Sequence, residues 1–121
     1  MSAPRIIAVV SAELFAEFFS EADTERLDVL AAHLGGSFVR VDRLADAALD
    51  GARIVITSWG IGPFDAATLS TLPQLQLVAH TGASLKAFVT EALFDRGVVV
   101  TQARAGLARP VSEVSLTLTL A

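Results

Sequence analysis

Histidine occurs twice, at His33 and His80, and cysteine does not occur. Thiolate nucleophiles, disulfides and cysteine metal sites are therefore outside the repertoire of this chain. Two imidazoles make a metal site only if carboxylates join them, and no catalytic or metal-ligating set emerges. His33 falls in the last turn of a predicted helix, where the dipole favours an imidazolium, and reads as a surface residue. His80 ends an apolar segment and fits either a general base or a satisfied structural residue; no neighbour in sequence supplies a carboxylate to orient it. Directly after it stands Thr81-Gly82-Ala83-Ser84, which offers hydroxyls and exposed main-chain N–H groups with little steric bulk. Consecutive amides in such a turn form a concave site for a carboxylate or phosphate. The same residues would equally suit a connection passing beneath a neighbouring loop. Trp59 fits a core anchor and a pocket wall equally well.

One stretch mimics a dinucleotide fingerprint. In "WGIGPFD", Gly60 and Gly62 have the right spacing, but the third glycine position is Asp65 and Pro63 interrupts the turn. A carboxylate at a helix N-terminus repels a pyrophosphate, so the stretch reads as a tight turn followed by an Asp cap.

The elements that must position these residues follow from periodicity. Short apolar, β-branched segments recur at Ile6 to Val10, Phe38 to Val41, Arg53 to Thr57, Leu75 to His80 and Val98 to Thr101. Between them lie helical stretches. "ELFAEFFSEA" and "ERLDVLAAHLGG" follow the first strand, and "DRLADAALDG" predicts a further short helix ending at Gly51. Asp65 caps "AATLSTL", and Val89 to Arg96 ends at Gly97. Such alternation predicts a parallel sheet of about five strands covered on both faces. "IIAVV" is apolar throughout, as a central strand requires, whereas "SFVRVD" alternates like an edge strand with one wet face. With right-handed crossovers the simplest order is the flavodoxin-like 2-1-3-4-5. The sequence argues against two ligand classes of that architecture. The strand exits lack the acidic residues a receiver domain needs for Mg²⁺, and "SAELFAEF" lacks the glycine- and hydroxyl-rich loop that wraps a flavin phosphate.

Composition agrees with a single globular domain: 121 residues, 53% apolar, 18% charged, net charge −4. Mean hydropathy is high at +0.59, yet no apolar run approaches the roughly 20 residues that span a bilayer. The start "MSAPR" has no signal-peptide character. The expectation is a cytoplasmic protein with neither a membrane nor a nucleic-acid partner, since basic clusters are missing. The tail "ARAGLARPVSEVSLTLTLA" opens like a helix at Pro110 and Glu113, but "SLTLTLA" also alternates like a strand. It stops on apolar residues with no polar ending, which predicts a truncated chain.

The order of these pieces resembles the D-isomer-specific 2-hydroxyacid dehydrogenases, in the N-terminal part of their substrate-binding domain. The resemblance covers roughly Ile54 to Ala121. It is carried by Leu72-Pro73-Gln74-Leu75, the turn Gly82-Ala83-Ser84, the helix Ala92 to Gly97, the strand Val98 to Thr101, and Val111-Ser112-Glu113. It implies a substrate-binding (catalytic) domain over 1–103, incomplete, and over 104–121 a hinge with the start of a helix crossing to a missing NAD-binding domain. It further implies that Gly82, Ala83 and Ser84 give backbone amides to the carboxylate of a small 2-hydroxy or 2-keto acid, beside Trp59. Ser84 stands where the family has glycine, and Val114 where a histidine often follows the glutamate. NAD or NADP would bind the parent enzyme, a homodimer, and no cofactor would bind this chain alone. Arg104 and Arg109 precede the place of the family's catalytic arginine and do not take its role. On this reading the chain is an oxidoreductase fragment, inactive alone. The alternative is a stand-alone flavodoxin-like domain that binds a small anion or a protein, with the apolar tail as a dimer surface.

Overall fold

Ile6, Ile7, Ala8 and Val9 present apolar side chains alternately to two sides, so a strand made of them is stable only between two covering layers. In the computed structural model of the chain they lie in β1 (Pro4–Val9) and all four are buried. The structure describes residues 3–58, 63–81 and 89–102. The other strands are β2 (Ser37–Val41), β3 (Ile54–Thr57), β4 (Leu77–His80) and β5 (Val99–Gln102). Every neighbouring pair is parallel and the order is β2-β1-β3-β4-β5. This is the doubly wound, flavodoxin-like α/β arrangement that the alternation of segments predicts.

Period-2 alternation sorts the core. Ile6, Ala8, Ile54, Ile56, Leu77 and Ala79 face a layer formed by α1 (Ala12–Phe18) and α2 (Glu21–His33), through Phe19, Leu27, Leu30 and Ala31. Ile7, Val9, Val55 and Val78 face the opposite layer, where α3 (Ala66–Ser70) and α4 (Glu91–Asp95) contribute Leu69 and Leu93. Among the described residues no helix is long and apolar enough to cross a membrane.

Three local expectations are corrected. The helix expected to run through Ser20 is broken there. The Ser20 hydroxyl accepts from the Asp23 amide (3.1 Å) and the Asp23 carboxylate accepts from the Ser20 amide (2.9 Å), a reciprocal cap that starts a new helix. The helix expected over "DRLADAALDG" shrinks to a 3₁₀ turn, Leu44–Asp46. Arg43 at its cap position supplies no side-chain acceptor, and the chain is extended again by Ala47. This thin crossover leaves a cleft of about 560 Å³ between the turn and α3, walled by Val9, Leu44, Leu49 and Phe64. β2 is indeed an edge strand, but it has no wet face, being half-buried along its whole length. Phe38 packs on the first layer, Val39 and Val41 on the second, and Arg40 covers the strand end by donating to the Val10 carbonyl (2.9 Å). Boundaries also move: both the Gln76 and Leu77 amides bond the Arg53 carbonyl, so Leu75 and Gln76 precede β4.

Candidate functional site

The carboxyl ends of parallel strands are where doubly wound sheets bind ligands. Here β3 leads from Thr57 into Ser58, and β4 from His80 into Thr81. These four are the buried polar residues among those described, each 0–5% exposed. A buried hydroxyl needs a partner, and each finds one across the sheet. Ser58 donates to the Val9 carbonyl of β1 (3.0 Å), and Thr81 donates to the Thr57 carbonyl of β3 (2.9 Å). The Thr81 amide goes to that same carbonyl (2.9 Å). Both hydroxyls therefore staple their own strand exit to the strand beside it.

Thr57 and His80 are cross-strand partners, with Oγ1 2.8 Å from Nδ1. Burial pushes the His80 imidazole below its ordinary pKa of 6.5, so the ring is neutral at pH 7. If the hydroxyl donates to Nδ1, the ring hydrogen sits on Nε2; if Nδ1 donates, Nε2 carries the lone pair. Thr57 fixes the ring plane but, as a hydroxyl, adds none of the negative charge that strengthens a catalytic imidazole. This arrangement suits a positioning or hydrogen-bonding role at the edge of the site.

The anion turn needs a correction at its first residue. Thr81 does not offer an exposed hydroxyl and amide, because both are committed to Thr57. Gly82, Ala83, Ser84 and Trp59 lie outside the described residues. Chain continuity starts their segments at the exits of β4 and β3, directly after Thr81 and Ser58. His33 is exposed in the last turn of α2, as its surface reading requires.

At the β1 exit, Ser11 spends its hydroxyl as the cap of α1, accepting from the Leu14 amide (3.2 Å), and no glycine is near. At α3, Asp65 caps the helix by accepting from the Thr68 amide (2.9 Å), a bond that holds its carboxyl below the usual carboxylate range. A carboxylate held ionised there repels phosphate. Among the described residues no group of three or more His, Asp or Glu residues is placed to hold a metal ion.

The hydroxyl staples and the Thr57–His80 pair were not foreseen. Their signal is a Ser or Thr directly after a buried strand, which must find a carbonyl to donate to. Neither a protein-family model nor a curated protein matches the chain.

Proposed function

We propose that the chain is the substrate-side lobe of an NAD(P)-dependent oxidoreductase that interconverts a 2-hydroxy acid and a 2-keto acid, of the D-isomer-specific 2-hydroxyacid dehydrogenase type. Gly82, Ala83 and Ser84 present their amides to the substrate carboxylate, and Trp59 walls the site. The observation that carries the reading is positional. The segment opening with Gly82 leaves the carboxyl end of β4, an interior strand of a doubly wound sheet, where ligands of such sheets gather. The resemblance in order of pieces from Ile54 onward adds to it. Hydride transfer needs nicotinamide and substrate in near contact, and the Asp65 carboxylate at the start of α3 disfavours a phosphate at that point. On this reading the nicotinamide and the acid–base groups belong to a second domain of the parent enzyme, a cytoplasmic homodimer.

Thermal stability of the chain in the presence of small 2-keto acids tests the reading, with NADH as a second arm. The expected result is a weak, saturable rise with keto acid that Gly82→Val abolishes, and no response to NADH. A chain that ignores every keto acid overturns the substrate site, and a clear NADH response overturns the assignment of the cofactor to another domain.

A further inference from the structure

The opposite, amino-terminal end of the sheet carries a concentration of positive charge that the proposed function does not use. Arg5 in β1, Arg53 just before β3 and Arg96 just after α4 line one cleft of about 550 Å³, together with Gln76 and Pro73. That volume lies within the roughly 300–1,000 Å³ usual for small-molecule sites. Among the described residues no Asp or Glu lines it. The ion pairs among the described residues, Arg40–Asp42 and Arg43–Asp46, lie elsewhere. In a chain of net charge −4, a group of arginines without carboxylate partners is unexpected.

Each guanidinium is held in place by neutral groups. Arg53 donates through Nε and Nη2 to Gln76 Oε1 (3.1 and 2.8 Å). Arg96 donates to the carbonyls of Leu69 (2.7 Å), Leu72 (2.8 Å) and Pro73 (3.3 Å), which fixes it against the turn between α3 and β4. Arg5 donates to the Gly51 carbonyl (2.9 Å). Its stem runs through a slot that exists only because two neighbours lack side chains. A Cβ at Gly36 would come within 2.5 Å of Arg5 Cγ, and one at Gly51 within 2.8 Å of Arg5 Nη1. Arg5 Nε is buried with no acceptor among the described residues. Carbonyl and amide partners orient these forks without cancelling their charge. A set of fixed, uncompensated guanidiniums is suited to a multivalent oxyanion, because little side-chain ordering remains to oppose binding.

We propose that this cleft binds a small molecule through a phosphate group. Arg53 is the principal contact, since its Gln76 partner is an exposed side chain free to turn aside. The site is at the end of the sheet opposite His80 and Thr81 and acts independently of them.

Titration of the full chain with inorganic pyrophosphate, at ionic strength held constant with sodium chloride, tests the proposal. The expected result is a saturable rise in Tm of about 5 °C at tenfold excess over Kd, with shifts in the side-chain NMR signals of Arg53, Arg5 and Arg96. Arg53→Gln should weaken binding at least ~10-fold. Gln76→Glu, which sets a carboxylate against Arg53, should do the same by calorimetry. Arg43→Gln, at the other end of the sheet, should leave affinity unchanged. A rise that never saturates, or equals that from chloride, shows a general ionic effect only and overturns the proposal. So does saturable binding that moves none of the three arginine signals, or that survives both cleft variants.

Discussion

Thr57→Val probes the buried Thr57–His80 pair at the candidate site. Valine has nearly the volume of threonine, so no cavity opens at this fully buried position. What is lost is the hydroxyl 2.8 Å from His80 Nδ1. Removing one partner of a buried hydrogen bond costs about 1–3 kcal/mol, because the other loses its solvation without compensation. The added methyl offsets part of this, up to roughly 0.8 kcal/mol for a buried carbon. With the full offset the expected net loss is therefore about 0.2–2.2 kcal/mol. Thr57→Ser separates the two contributions: it keeps the hydroxyl and gives up one methyl, for about 1 kcal/mol. Urea unfolding at pH 7.5 reads both, with an unchanged slope showing that the folded and unfolded states keep their compactness. A Thr57→Val protein as stable as the parent would refute the claim that this hydrogen bond supports the strand exits, however short the distance.

Two further outcomes are expected. His80 has a folded pKa lowered by burial, so the unfolded chain binds the extra proton first as pH falls. Its contribution is fully present above the unfolded value of about 6.5 and is lost progressively below it. Urea midpoints measured from pH 8 to 5 should fall below pH 6.5, and His80→Gln should flatten that fall. Ser20→Ala removes the hydroxyl half of the reciprocal cap and should cost about 0.5–2 kcal/mol by thermal unfolding; a variant with parental Tm would show that α1 and α2 need no cap to stay separate.

The sheet was legible because its signal is local and redundant. "IIAVV" can be stable only between two layers, and β1 has two. Asp65 advertises a helix start, and its carboxylate caps α3. The helix break at Ser20 was also written locally, as a Ser followed three residues later by Asp, but the apolar stripe running through it concealed the cap. The missing crossover helix is a different failure. "LADAAL" has good helix formers, yet Leu44 packs on the core from the 3₁₀ turn and Ala47 and Leu49 from the non-helical chain after it, a tertiary preference that propensity does not record. At the candidate site one residue was misjudged. Thr81 looked available because its neighbours are small, whereas its position opposite the Thr57 carbonyl depends on strand register. The arginine cleft was invisible for the same reason: Arg5, Arg53 and Arg96 are far apart in the chain and meet only once the strands are ordered.

The staples at Ser58 and Thr81 have a bearing on how such a protein can change over time. A hydroxyl has one hydrogen to give, and both of these have given it to a neighbouring peptide. A negatively charged visitor at this end of the sheet cannot be greeted by them without unpicking the strand ends, so the anion site proposed above would have to rely on the main chain instead. Main-chain hosts carry no fingerprint in residue type. Substitutions can accumulate around them, provided they stay small, and recognition persists after the lettering that would advertise it has faded.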